Sequence, residues 1–384
     1  MALHFSEQEL ASRRERTCRA IADAGLDGML LFRQESMYYL TGYDTFGYVF
    51  FQCLFLGADG RLMLLTRAPD LRQAQNTSMI EDIRIWVDRP DAGPADELRG
   101  ILDEFGCRGQ RLGVEYEAYG LTARNGKRLD AAFDGFCSLE DASELISKLR
   151  VIKSDAEIAY VRRAAELADD ALDAAIDVAG PGVSESDILA GMQGAVFKGG
   201  GDYPGNPFII GSAEDALLCR TKSGRRTLDE NDQLNLEWAG TYLHYHAAMF
   251  RTMVFGALPD RQKKMYDVAY EALLAVEDAL RPGNIVGDAF QAHADVIDRA
   301  GMREHRLNAC GYSLGTTFQP NWMDWPMLYA DNPVEIEPGM VYFCHMIIFD
   351  SDAQLAMCLG ETVLTTEGAA ERLSRHSLDL LHKG

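Results

Sequence analysis

The pattern of the chain changes near Lys148–Lys153, and this change limits the possible folds more than any other feature. Before it, short apolar segments alternate with polar, helix-like segments, which predicts an α/β domain over residues 1–150. After it, Ser154-Asp155-Ala156-Glu157 forms a capping box that opens a long helix with one apolar face. Further helices and then long strands with glycine-marked turns follow, which predicts an α+β domain over residues 151–384.

Individual elements can be predicted from periodicity and turn signals. In the first part we predict a helix over Glu7–Ala24 and strands over Gly28–Phe32, Val49–Leu56, Arg61–Thr66, Ile83–Val87 and Arg111–Glu115. In the second part we predict helices after Ser154 and Ser184 and over 262–280 and 288–300, and strands over 233–238, 250–255, 340–349 and 361–365.

Charge and cysteine content narrow the class of partner. The formal net charge of -22 disfavours nucleic acid and anionic membranes as partners. No segment approaches the roughly 18–20 apolar residues of a membrane span, and the first residues do not follow the pattern of a signal peptide. The eight cysteines are scattered without a CxxC pair, which is typical of reduced thiols. We therefore expect a cytoplasmic protein with a small-molecule partner.

Four patterns, in order along the chain, resemble the creatinase/prolidase superfamily. They are Leu149–Ser154, Glu237-x-x-Gly240 followed by Arg251-Thr252, Gly311–Gly315, and Glu337–Val341 followed by Glu361–Leu364. Tyr39–Tyr43 matches the first domain of that family more loosely. The resemblance implies a creatinase-like α/β amino-terminal domain, an α+β pita-bread (creatinase/aminopeptidase-like) catalytic domain, and a homodimer.

The peptidases of this family hold two metal ions with two Asp, one His and two Glu. The matching positions here are Glu237, Ala248, Tyr312, His345 and Gly360, with Glu361 one step beside the last. A divalent pair needs several anionic oxygens, so this set predicts no metal, and we expect no other cofactor. The chain in this respect resembles the metal-independent branch of the family, which includes creatinase and ectoine hydrolase.

Three of these residues are candidates for catalysis. Glu237 is a candidate general base or nucleophile, with pairing to Arg251 or His246 as the structural alternative. His345 is a candidate acid or base, and otherwise a hydrogen-bonded core residue. Tyr312 is a candidate hydrogen-bond donor to a developing charge, and otherwise an aromatic residue packed at a strand end.

Other residues are candidates for substrate binding. Arg220 replaces a histidine that transfers protons in creatinase; it cannot be a base near neutral pH, but it can hold a carboxylate. Trp322, Asp324 and Trp325 could surround an onium cation or form a packed loop. The remaining candidates are His246 and Glu361, Asp202 and Tyr203 after a triple glycine, and Tyr43 and Asp44, by which the partner's first domain would cap the site.

The favoured function is metal-independent hydrolysis of a non-peptide C–N bond in a small polar carboxylate, such as an ectoine- or creatine-like compound. Three alternatives stay open. The first is a β-elimination lyase acting on a carboxylate zwitterion such as dimethylsulfoniopropionate. The second is an Xaa-Pro dipeptidase, which requires metal, and the third is a non-catalytic small-molecule binding protein.

Overall fold

The structure is a computed structural model that describes residues 3–221 and 224–384, and it divides into two compact units, Met1–Arg150 and Val151–Gly384. Among the described residues, no helix has the length and apolarity to cross a membrane. The helices are α1 (Glu7–Asp23), α2 (Gln34–Thr41), α3 (Ala68–Thr77), α4 (Pro94–Glu104), α5 (Ala123–Phe133), α6 (Leu145–Arg150), α7 (Asp155–Val178), α8 (Glu185–Lys198), α9 (Asp260–Ala279) and α10 (Val286–Arg299). The strands are β1 (Gly28–Leu31), β2 (Cys53–Gly57), β3 (Leu62–Arg67), β4 (Ile83–Trp86), β5 (Arg111–Val114), β6 (Ser138–Asp141), β7 (Ile209–Ser212), β8 (Asp232–Tyr242), β9 (Tyr245–Phe255), β10 (Ala309–Ser313), β11 (Asp324–Tyr329), β12 (Val341–Asp350), β13 (Leu355–Leu364), β14 (Glu371–Arg372) and β15 (Leu381–Lys383).

The first unit is a mixed sheet with helices on both faces. Its strand order is β4-β3-β2-β1-β5-β6, in which β2 is antiparallel to both of its neighbours and the other pairs are parallel. Residues of β1 and β2 alternate between two apolar clusters, one shared with α4 and α5 and the other with α1 to α3. The predicted strand over Val49–Leu56 begins later, at Cys53, because a 3-10 turn occupies Gly47–Val49.

The second unit is built on one large sheet of order β11-β10-β12-β13-β9-β8-β7. The pairs along this order are antiparallel, and β15 joins β9 in parallel. The long hairpin β8–β9 turns at Leu243 and His244, which both have positive φ. The observed elements confirm the predicted classes, an α/β domain followed by an α+β domain of the pita-bread type.

Helices cover one face of this sheet. The Trp238 indole donates a hydrogen bond to the Ala168 carbonyl of α7 at 2.9 Å. Gly240 lies on the same face, and a Cβ there would lie 1.9 Å from the Ala164 carbonyl oxygen, so only glycine lets α7 approach so closely. Leu359 and Tyr342 face α9 and α10 in the main apolar core. Because side chains alternate along a strand, Glu237 and His345 lie on the opposite face.

Candidate functional site

The opposite face of the sheet, which we call the site face, brings three of the predicted catalytic residues together. Glu237 of β8 is buried, as are Tyr312 of β10 and His345 of β12. The ring centroids of Tyr312 and His345 are 5.6 Å apart, and both rings contact Phe343. Three strands that are distant in sequence thus place a carboxylate, a phenol and an imidazole side by side.

A chain of hydrogen bonds fixes the Glu237 carboxylate. The Trp322 indole N–H donates to the Tyr312 hydroxyl at 2.8 Å, and that hydroxyl donates to Glu237 Oε1 at 3.3 Å. Glu237 pairs with neither of its structural alternatives, because Arg251 pairs with Glu361 and the ring nitrogens of His246 contact Gly205 and Thr317. The Tyr312 hydroxyl therefore has one donor behind it and one acceptor in front of it, which orients its proton toward Glu237.

Burial dominates the electrostatics of Glu237. It raises the pKa of Glu237 from 4.5 to about 7, although the Arg220 guanidinium and the Tyr312 hydrogen bond both lower it. Arg220 is exposed and makes no hydrogen bond with any described residue, so its charge is available to a ligand. A carboxylate with a pKa near neutrality can both accept and return a proton during turnover.

The neighbours of Glu237 are held in their neutral forms. Burial, together with the charge of Glu237, raises the pKa of Tyr312 well above its ordinary value, so the phenol donates but does not act as a base. Burial lowers the pKa of His345 to about 4, so its imidazole is unprotonated at neutral pH. Nδ1 of His345 is buried and has no hydrogen-bond partner among the described residues.

His246 lies on the same face but supports a loop instead of presenting a free ring. The Gly205 N–H donates to His246 Nε2 at 2.8 Å, and Nδ1 lies 3.2 Å from the Thr317 hydroxyl. Because Nε2 accepts, the proton of the neutral ring is on Nδ1 and is donated to Thr317. Burial lowers the pKa of His246 to about 3, which keeps the ring in this form. Both nitrogens are thus used within the protein.

The residues at the five ligand positions do not fit a two-metal centre. The position of Ala248 offers a methyl group, and the Tyr312 hydroxyl is already engaged by Glu237 and Trp322. At Gly360, which pairs with His345, a Cβ would lie 2.8 Å from the Phe343 ring, so this ring fills the space of the last ligand. No group of three or more His, Cys, Asp or Glu side chains in the described ranges could hold a metal ion.

The structure separates Glu361 from this site, contrary to the sequence-based expectation. Cys344 pairs with Glu361 across β12 and β13, whereas His345 pairs with Gly360. Glu361 therefore lies on the helix-covered face, where its carboxylate contacts the Arg251 guanidinium in a buried ion pair. The same guanidinium donates to the Gly360 carbonyl at 2.8 Å, so the pair stabilises the strands behind the site.

The two tryptophans of the 322–325 segment do not form one cage, which corrects the expectation of an aromatic onium site. Trp322 is fully buried and contacts Tyr312 through its N–H. Trp325 packs against the apolar core on the helix-covered face. Asp324 accepts a hydrogen bond from the Trp325 backbone N–H at 2.9 Å. One indole thus supports the site and the other supports the core.

The remaining candidates lie in loops. Asp202 is partly buried near the end of β8, where its N–H donates to the Thr241 carbonyl at 2.9 Å. Tyr203 is 74% exposed, and its ring packs edge-on against Phe197. In the first unit, Tyr43 is buried in the core, which argues against direct contact with a ligand. Asp44 is partly buried beside Thr77, and its role at a partner's site stays a prediction.

Sequence reasoning missed residues that position the site. Phe343 fills the last ligand position, and its only sequence signal was its place two residues before His345. The Asn206 side-chain oxygen accepts a hydrogen bond from the Trp322 backbone N–H at 3.3 Å, and the Thr317 hydroxyl contacts His246 Nδ1. Nothing in the local pattern around Asn206 or Thr317 marks these contacts, because their partners are more than 70 residues away in the chain.

Comparisons with known proteins agree with the observed fold. The profile of Metallopeptidase family M24 matches residues 159–367, and that of the Creatinase/Prolidase N-terminal domain matches residues 13–152. An uncharacterized hydrolase/peptidase of Sinorhizobium fredii is 31% identical over 353 residues, which cover 88% of this chain and 89% of that protein. Ectoine hydrolase of Halomonas elongata is 27% identical, with 97% of each chain covered.

Solved structures show the same fold. The prolidase of Thermococcus sibiricus superposes with a TM-score of 0.89 at 20% identity, over 98% of this chain and 100% of that one. The dipeptidase of Pyrococcus horikoshii gives 0.84 at 23% identity, over 96% and 99%. The matched relatives support an enzyme of the hydrolase/peptidase class. The chain therefore belongs to metallopeptidase family M24, with a creatinase/prolidase amino-terminal domain.

Proposed function

We propose that the chain hydrolyses a non-peptide C–N bond in a small polar carboxylate and does so without a metal ion. The observation that supports this most directly is the state of Glu237. It is a buried carboxylate with a pKa of about 7 at the position of the first metal ligand, and a phenol oriented by Trp322 donates to it. This pairing gives the protein a base of its own at a position where the peptidases of the family bind a metal ion.

In the proposed reaction, ionised Glu237 removes a proton from water as the water oxygen attacks the carbon of an amide or amidine. The tetrahedral intermediate then collapses, the C–N bond breaks, and the proton held by Glu237 passes to the leaving nitrogen. Atoms and charge balance without a further reactant. A carboxyl with a pKa near neutrality suits both transfers, because it can take the proton as the water attacks and, once protonated, is acidic enough to return it to the leaving nitrogen.

The neighbours have separate roles in this proposal. Tyr312 donates a hydrogen bond as negative charge develops, and its raised pKa keeps it protonated. His345 is a neutral imidazole whose Nδ1 has no partner in the described part of the chain, so this nitrogen can form a hydrogen bond with the reacting group. Arg220 binds the substrate carboxylate with its planar guanidinium.

The comparisons support a hydrolase and leave the substrate open. Ectoine hydrolase aligns over nearly the whole chain, and ectoine is a cyclic amidine that carries a carboxylate. The prolidases share the fold at lower identity, but the donor set of Glu237, Ala248, Tyr312, His345 and Gly360 does not match their chemistry. We therefore place an amidine or amide of a small carboxylate ahead of a peptide.

The test is a substrate panel with purified protein, with and without a chelator. The panel contains ectoine, creatine, other guanidino acids, dimethylsulfoniopropionate and an Xaa-Pro dipeptide, and products are identified by mass spectrometry. We expect hydrolysis of a C–N bond that the chelator does not reduce. Activity that requires added Mn, Co, Fe or Zn would refute the proposal, as would an elimination product.

The Glu237→Gln variant tests the mechanism. We expect activity to fall at least about 1,000-fold, because the amide cannot accept the proton. The matched control is Glu185→Gln. Glu185 is also buried in this unit, but its carboxylate accepts a hydrogen bond of 2.8 Å from the Ser212 backbone N–H, which lies outside the site. For the wild type, kcat/KM should rise with pH through about 7 as Glu237 ionises. Retained turnover in Glu237→Gln would remove Glu237 from the mechanism.

A further inference from the structure

The loop that carries Asp202 is held rigidly on the site face. The Asp202 N–H donates to the Thr241 carbonyl, and the Gly205 N–H donates to His246 Nε2. The Asn206 side-chain oxygen accepts a hydrogen bond from the Trp322 backbone N–H, and the Trp322 indole N–H donates to the Tyr312 hydroxyl. The loop is therefore bonded to β8, which carries Glu237, and to β9. It is also bonded to Trp322, which orients the Tyr312 hydroxyl.

The Asp202 carboxylate has an unused oxygen in this fixed loop. Oδ2 of Asp202 is buried and accepts no hydrogen bond from any residue in the described ranges. Thr241 accepts the Asp202 N–H through its carbonyl. Its side-chain hydroxyl is buried and also has no hydrogen-bond partner in the described ranges. A buried carboxylate oxygen without a donor is costly, and proteins rarely keep one unless a ligand or water completes it.

Asp202 lies at the other end of the site from Arg220. Thr241 is four residues beyond Glu237 on β8, so both face the same side, with Cα atoms roughly 13 Å apart at about 3.3 Å per residue. Between them on β8 and β9 stand only the methyl groups of Ala239 and Ala248, which pair with each other. Arg220 belongs to the Glu237 end, because the carbonyl of the next residue, Thr221, accepts a hydrogen bond from the Ile210 N–H at 3.2 Å, and the neighbouring Ile209 pairs with Glu237. The site thus has a cation at one end and an unpaired anion at the other.

From this arrangement we infer that Asp202 receives a cationic nitrogen group of the substrate, an ammonium or an amidinium, while Arg220 holds its carboxylate. The inference rests on the proposed function for Arg220 and Glu237, and it narrows the substrate class to zwitterions whose opposite charges are separated along the site face. Charged N–H donors match an unpaired carboxylate oxygen better than a neutral group does, because the pair is charge-assisted and partly desolvated. Asp202 is then a specificity-determining residue.

Binding is measured in the Glu237→Gln background, so that turnover does not interfere. Isothermal titration compares cationic carboxylates, namely ectoine, creatine and ω-amino acids of increasing length, with N-carbamoylsarcosine, the uncharged urea counterpart of creatine. Adding Asp202→Asn should weaken the best cationic ligand at least tenfold and change the affinity for the urea compound less than threefold. Asp202→Glu should restore part of the loss, and Asp177→Asn, which alters an exposed aspartate of α7, should have no effect.

Three results would overturn the inference. An equal loss for charged and uncharged ligands would mean that Asp202 only shapes the loop. No loss for either ligand would mean that Asp202 does not contact substrate, and so would the absence of binding by any cationic carboxylate at millimolar concentration. The proposed function fails separately, through retained turnover in Glu237→Gln or through dependence on metal. Charge-selective binding through Asp202 would remain measurable in that case with the ω-amino acids, which contain no amide or amidine bond to hydrolyse.

Discussion

Replacing Glu237 by Gln should stabilise the protein at alkaline pH while it abolishes activity. Burial raises the pKa of Glu237 above the value of an unfolded chain, so the folded state keeps the proton over a range where the unfolded state releases it. The contribution of Glu237 to the free energy of unfolding is fully present below pH 4.5. It is lost as the pH rises through about 7 and the folded state also has to release the proton. Gln has no such ionisation, so the variant should escape this loss.

The magnitude follows from the two pKa values. An ordinary glutamic acid has a pKa of 4.5, and Glu237 has a pKa of about 7. Integrated from pH 5 to pH 8, this difference costs the folded wild type about 2–3 kcal/mol. The other titrating groups are shared by wild type and variant and cancel in the comparison. A constant penalty for burying the glutamine amide also cancels, because it is the same at both pH values.

The assay is urea denaturation of wild type and Glu237→Gln at pH 5 and pH 8, with the transition of the second unit followed separately from that of the first. The free energy of unfolding of the variant, relative to wild type, should be about 2–3 kcal/mol higher at pH 8 than at pH 5. The same difference at both pH values would refute the reasoning, because it would mean that Glu237 ionises as easily in the folded state as in the unfolded one.

Two further variants test the surroundings of Glu237. Tyr312→Phe should lower kcat/KM about 100-fold. It should also move the midpoint of the pH profile of kcat/KM upward, because the phenol hydrogen bond lowers the pKa of Glu237. An unchanged midpoint would contradict this contact. Gly360→Ala should lower the free energy of unfolding by about 1–3 kcal/mol, since its Cβ would meet the Phe343 ring at 2.8 Å and Phe250 Cβ at 3.0 Å. Gly368→Ala is the control, because its added Cβ would have the Thr366 hydroxyl, at 3.9 Å, as its closest contact. Equal stability of the two variants in urea denaturation would contradict the steric argument.

Local signals predicted the elements that carry their own boundaries. The capping box at Ser154 and Glu157 is present as predicted and opens α7. By contrast, α2 was not predicted, because its N-cap residue Arg33 provides no side-chain cap and the start of the helix is held from another part of the chain. The Glu115 carboxylate accepts hydrogen bonds from the Phe32 and Arg33 N–H groups, just before the helix, at 2.9 and 2.8 Å. A contact with a residue more than 80 positions away leaves no mark on the local sequence.

The role of Glu361 shows where sequence reasoning about the site ends. The motif placed the last ligand position at Gly360 with Glu361 beside it, and a shift of one residue exchanges the two faces of a strand. The pairing of His345 with Gly360 decides the register, and Glu361 contacts Arg251 on the helix-covered face. The two tryptophans follow the same rule, because contacts in three dimensions assign Trp322 to the site and Trp325 to the core.

The order of motifs along the chain was enough to identify the family and to show that Ala248 cannot bind a metal, because a methyl group has no donor atom whatever its surroundings. The order of motifs could not predict the protonation states of the site residues. Glu237, Tyr312 and His345 are on strands far apart in sequence, and only their burial against one another sets which groups are charged. Desolvation depends on every atom packed around a group, and that packing exists only in the folded chain.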